Sequence, residues 1–93
     1  DLIAYDKGEL AVIDYKTSKR WKKKEEITTY FMQSAAYANM VKEHYGLEVK
    51  KIVVLMAVAQ GEGLLTFEER LEDWAPMTKK YFDLYHKGKL SQF

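Results

Sequence analysis

Residues 2–19 read Leu-Ile-Ala-Tyr-Asp-Lys-Gly-Glu-Leu-Ala-Val-Ile-Asp-Tyr-Lys-Thr-Ser-Lys, and the fold is decided here. The apolar run Leu2 to Tyr5 and the Val-, Ile- and Tyr-rich run Glu9 to Lys16 flank Asp6-Lys7-Gly8, a turn signal, so the stretch predicts a β-hairpin. Side chains alternate across a strand. Asp14 and Lys16 therefore project from one face near the C-terminal end of the second strand, and Ile13 and Tyr15 from the other. If paired residue numbers sum to 15, as a two-residue Lys7-Gly8 turn or a four-residue loop requires, Asp1 lies directly opposite Asp14, with Cβ atoms roughly 4.5–5.5 Å apart. A three-residue loop makes the sum 14 and sends Asp1 to the opposite face.

Beyond the hairpin, Lys16 to Lys24 holds six of the fifteen basic residues and no acid, which leaves nine basic against fourteen acidic residues elsewhere. The net charge of +1 thus averages a concentrated basic loop, with Trp21 inside it, and an acidic remainder. Glu25 and Glu26 lead into a helical pattern over about 27–45, closed by Gly46; acids at the start and a glycine after the end suit the helix dipole and a C′ cap. Ala35, Ala36 and Ala38 read as small residues for close helix–sheet packing. Residues 48–59 read as a strand whose 52–59 portion is apolar on both faces, predicting a central, doubly covered position. Gln60 to Gly63 turns the chain into a second strand over 64–70. A last helix is expected with Asp73 near its N-cap, Pro76 in its first turn, and Trp74, Met77, Tyr81 and Tyr85 at helical spacing. The order ββαββα predicts an α/β (α+β) fold with helices packed on a sheet.

Ninety-three residues make one small domain, and 47% hydrophobic with 14% aromatic residues is enough to form a core. The longest apolar run, 52–59, is far short of the roughly 18–20 residues that cross a bilayer, so no membrane partner is expected. With no cysteine, disulfide frameworks, thiolate zinc sites, cysteine nucleophiles and cysteine-held iron–sulfur clusters are excluded for this chain. The chain starts with Asp, has no signal or transit pattern, and reads as a fragment of something longer, intracellular, with cytoplasmic, phage-encoded and organellar origins undistinguished.

Two neighbouring carboxylates repel and raise at least one pKa unless a cation lies between them. A hard cation such as Mg²⁺ takes oxygen ligands and keeps several waters, so Asp1, Asp14 and a main-chain carbonyl suit an open site for phosphodiester hydrolysis. Lys16 could orient the attacking water or stabilise charge growing on phosphorus. The plain structural alternative is an exposed Asp–Lys ion pair worth about 0–1 kcal/mol. Gln33 and Tyr37 share one face of the long helix at i and i+4, with Tyr30, Met40 and Val41 extending the stripe; spacing alone favours a core Tyr37 and a boundary Gln33. The basic loop with Trp21 has the character of a phosphate-neutralising, base-stacking segment, and equally that of a solvated lysine loop. His44 and His86 read as structural or solvated.

An Asp at hairpin distance, then Asp14-Tyr15-Lys16-Thr17, then Gln33-x-x-x-Tyr37 on the next helix together resemble the RecB-like branch of the PD-(D/E)XK nuclease superfamily, which includes helicase-associated and CRISPR-adaptation nucleases and phage and mitochondrial single-strand DNA exonucleases. The resemblance implies a restriction-endonuclease-like mixed sheet flanked by helices, here lacking the N-terminal helix and strand, over a single nuclease-core domain at 1–93. It implies a Mg²⁺- or Mn²⁺-dependent deoxyribonuclease of DNA repair or recombination, most simply an exonuclease on single strands or duplex ends. By the same resemblance Asp1 and Asp14 correspond to the acidic metal ligands, the Tyr15 carbonyl to a further ligand and Lys16 to the catalytic lysine. Gln33, Tyr37, Thr17, Ser18, Lys19, Arg20 and Trp21 would then contact nucleic acid. The alternative is a non-catalytic nucleic-acid-binding or inactive nuclease-like module using residues 16–24. A structural or protein-interaction role is the third.

Overall fold

In the computed structural model, residues 2–77 together with Lys80 and Asp83 are described. Strands β1 (Leu2–Asp6) and β2 (Glu9–Ser18) form the expected hairpin. Lys7 and Gly8 both have positive φ, 52° and 83°, the signature of the tight turn whose twist matches the flanking strands. The register pairs Leu2 with Ile13 and Ile3 with Val12, so the sum is 15. β2 runs two residues beyond the expected Lys16, and Thr17 and Ser18 belong to the sheet rather than to the loop.

A 3₁₀ turn at Lys24–Ile27 opens into helix α1 (Thr28–Tyr45), which ends at Gly46, left-handed at φ 70°, its N–H donating to the Lys42 carbonyl at 2.9 Å. Strand β3 (Lys51–Val58) then pairs parallel to β2, and β4 (Gly63–Arg70) antiparallel to β3, giving a four-stranded mixed sheet in the order β1-β2-β3-β4. The parallel pair requires a crossover, which α1 supplies. β3 begins three residues later than expected: Val49 is buried with Val12 and Ala38, and the ladder starts only where Lys51 meets Ala11.

Helix α2 (Leu71–Trp74) follows β4 directly, with Arg70 at the N-cap position. The expectation of an N-cap at Asp73 is therefore corrected. Leu71 turns inward at once to pack on both core clusters, and Glu72 and Asp73 fall in the first helical turn, where acids suit the dipole. Pro76 is likewise not in the first turn of α2. It has no N–H and its ring clashes with the carbonyl four residues back, so the segment passes into a 3₁₀ turn at Ala75–Met77. Tyr81, Tyr85 and His86 lie outside the described residues.

α1 covers one face of the sheet. Ile27, Phe31 and Ala35 pack on Ile52, Val54, Met56 and Val58, while Ala38 packs on Val12. Ala36 faces Met32, Trp74 and Met77 instead of the sheet. β3 is central as expected, but the described helices cover only one of its faces. On the other, Lys51 is 2% exposed and is held by Asp6 (2.7 Å) and Glu68 (3.3 Å). No helix among the described residues is long and apolar enough to cross a membrane.

Candidate active site

Strand alternation aims Asp14 and Lys16 at the helix-covered face of the sheet, alongside Val12. There the Asp14 side chain is buried, the residue being 3% exposed, and its Oδ2 accepts no hydrogen bond from the described residues. Lys16 Nζ lies 3.5 Å from that oxygen, within charge attraction but beyond a good hydrogen bond. Burial pushes the Asp14 carboxyl above the ordinary aspartate range, and the Lys16 charge counters only part of the rise. This is not the exposed ion pair of the plain alternative. A buried carboxylate whose lysine partner stands off at 3.5 Å still favours a further cation, and the oxygen donor suits a hard one.

From above, α1 lays Tyr30 against the lysine, with Nζ 4.7 Å from the ring centroid. A cation over a tyrosine face is held in place without being neutralised. In the sequence Tyr30 stands only as part of the helical stripe, and its place three residues before Gln33 is the signal for this contact. Gln33 follows on that stripe with Oε1 buried and without a hydrogen bond among the described residues. Tyr37 belongs to the core with Val12, Leu10 and Ile3, and Met40 is exposed instead of extending the buried stripe.

The remaining expected site residues divide by face. Tyr15 is exposed on the opposite face, so only its main chain could serve the Asp14 side, and Thr17 projects with it. Ser18 Oγ donates to the Arg20 carbonyl at 2.7 Å. Arg20 is paired with Glu26 (2.9 Å) and Lys24 with Glu69 (2.8 Å), so part of the basic field is neutralised within the chain. Lys19 and Trp21 sit in the loop beyond β2, at the C-terminal end of the strand that carries Asp14.

The β1–β2 register is the one on which a two-carboxylate site depends, although Asp1 itself lies outside the described residues. Among the described residues no three His, Cys, Asp or Glu side chains cluster as a metal set.

A mixed sheet carrying a buried aspartate and an adjacent lysine under a crossover helix is an arrangement suited to nucleases. The family model of the PD-(D/E)XK nuclease superfamily matches residues 1–90, and the chain belongs to that superfamily. Membership implies a nucleic acid substrate and, in general, divalent metals. A search of curated proteins found no match.

Proposed function

We propose that the chain is the core of a RecB-like, Mg²⁺- or Mn²⁺-dependent deoxyribonuclease acting as an exonuclease on single strands or duplex ends. The observation that carries this reading is the buried Asp14 oxygen, without a hydrogen bond from the described residues, and the Lys16 ammonium 3.5 Å from it. Asp1, Asp14 and the Tyr15 carbonyl would hold the ion, which when bound supplies Lewis acidity and a more acidic water.

The chain's own groups do the rest. Asp14 supplies a fixed negative charge in a site from which α1 and the sheet exclude solvent. Lys16, kept at its post by Asp14 and Tyr30, offers N–H donors to the oxygens on which charge builds as the phosphodiester is attacked, a contribution strengthened by partial burial. Gln33 orients scissile-strand or water groups by its amide, and the loop from Lys19 to Trp21 receives the phosphate backbone.

The test is cleavage of end-labelled single-stranded DNA with Mg²⁺ or Mn²⁺ by wild type and Lys16→Ala. Cleavage by wild type and its loss in the variant is expected, and equal activity in both proteins overturns the assignment.

A further inference from the structure

Gly63 opens β4 with φ −106° and ψ 168°, an extended conformation open to any residue. Its lack of a side chain is demanded instead by Trp21. A Cβ at Gly63 would collide with the indole, 2.6 Å from Cζ2, and one at Gly61 would lie 3.2 Å from Nε1. The ring rim from Nε1 to Cζ3 therefore rests on a turn kept bare at two positions.

The loop carrying Trp21 is fixed on both sides. The Ala59 N–H donates to the Ser18 carbonyl at 3.0 Å and the Gln60 N–H to the Lys19 carbonyl at 3.1 Å, carrying the β2–β3 pairing past the strand ends. Arg20 is paired with Glu26, and its Nη1 donates to the Trp21 carbonyl at 3.1 Å. Despite this anchoring Trp21 stays 45% exposed. A large aromatic ring seated against the glycine turn yet left half open, with Lys19, Lys22 and Lys23 in the same loop, combines the two elements of single-strand recognition: a surface for a base and cations for its phosphates.

We infer that Trp21, seated on Gly61 and Gly63, is a fixed stacking platform for an unpaired nucleobase and makes single-stranded nucleic acid the preferred substrate. This rests on the nuclease reading above. A duplex keeps its internal bases stacked on one another and offers the ring a face only at its ends, whereas its phosphates still meet the lysines along its length. Trp21 thus discriminates between strand states, and the loop lysines do not.

The experiment measures binding of the full-length protein, in chelator, to a short oligo-dT strand carrying one 2-aminopurine and to a duplex of equal length. On the single strand, wild type quenches the 2-aminopurine. Trp21→Ala abolishes the quench and weakens single-strand binding on the order of 5- to 150-fold, with duplex binding unchanged. Trp21→Phe restores most of both signals, which separates stacking from loss of loop structure. Gly63→Ala, which displaces the ring while keeping it, lowers single-strand affinity in the same direction. Lys22→Ala with Lys23→Ala weakens both substrates and reduces the salt slope by about 2. Equal effects of Trp21→Ala on strand and duplex, or none on either, overturn the platform alone if wild type still cleaves. A wild type that binds neither form and does not cleave with Mg²⁺ or Mn²⁺ overturns the nuclease reading together with it.

Discussion

At Asp14 a carboxyl group is 3% exposed with one oxygen lacking a hydrogen bond from the described residues, so ionising it costs the fold stability. Its pKa is raised by burial. The folded chain therefore holds this proton at pH values where the unfolded chain has released it, and stability falls as pH rises from the ordinary aspartate range through the raised value. Asp14→Asn removes that loss. In chelator at pH 7 the variant is expected to be more stable than wild type by about 1 kcal/mol, read by denaturant or thermal unfolding. Mg²⁺ or Mn²⁺ should raise the Tm of wild type and leave that of the variant unmoved. A variant less stable than wild type in chelator contradicts this account of Asp14.

At the scale of elements, the β1–β2 hairpin and the α1–sheet contact carry the site. Lys7 occupies a positive-φ turn position at which a side chain is strained, and Asn tolerates that region better. Lys7→Asn should stabilise the protein by about 0.5–1 kcal/mol without altering cleavage, as measured by chemical denaturation. Ala35 sits 1% exposed between α1 and β3, and Ala35→Leu should cost about 1–3 kcal/mol by forcing the helix off the sheet. Because the same displacement moves Tyr30 and Gln33, activity should fall with it.

These elements also show what a sequence discloses. The Asp6-Lys7-Gly8 signal placed the hairpin and narrowed its register to two, and strand alternation put Asp14 with Lys16, because both rest on local geometry. The late start of β3, the burial of Lys51 and the direct entry of β4 into α2 depend on partners distant in the chain, which period and propensity do not encode. The same holds for Gly63, whose reason is an indole forty-two residues earlier. Tyr30 over Lys16 lay in between: its face was legible, its contact was not.

At the scale of the sheet, the candidate site lies toward one end and an ion-pair clamp toward the other. Asp14, the basic loop and Trp21 lie toward the C-terminal ends of β2 and β3. Near the other end Asp6, Glu9, Lys51, Glu68 and Arg70 draw on all four strands, with Arg70 bidentate to Glu9 at 2.7 and 2.8 Å. The Arg70 guanidinium holds the Glu9 carboxyl below its ordinary value. A lowered acid stabilises the fold above its unfolded pKa and loses that contribution as pH falls through the lowered value. Arg70→Gln should therefore lower the Tm at pH 7 and have a progressively smaller effect below about pH 4, as read by thermal melts across pH at low salt. An effect that grows toward acid pH contradicts the clamp.

In the proposed nuclease this fold holds Asp14 and Lys16 together to break phosphodiester bonds. The deciding measurement is the rate of divalent-metal-dependent cleavage of end-labelled single-stranded DNA by wild type, Asp14→Asn and Lys16→Ala, each confirmed folded by its melting curve. Cleavage by wild type, reduced at least about 100-fold in both variants, is the predicted result. Undiminished cleavage in either folded variant, or none by wild type with Mg²⁺ or Mn²⁺, contradicts it.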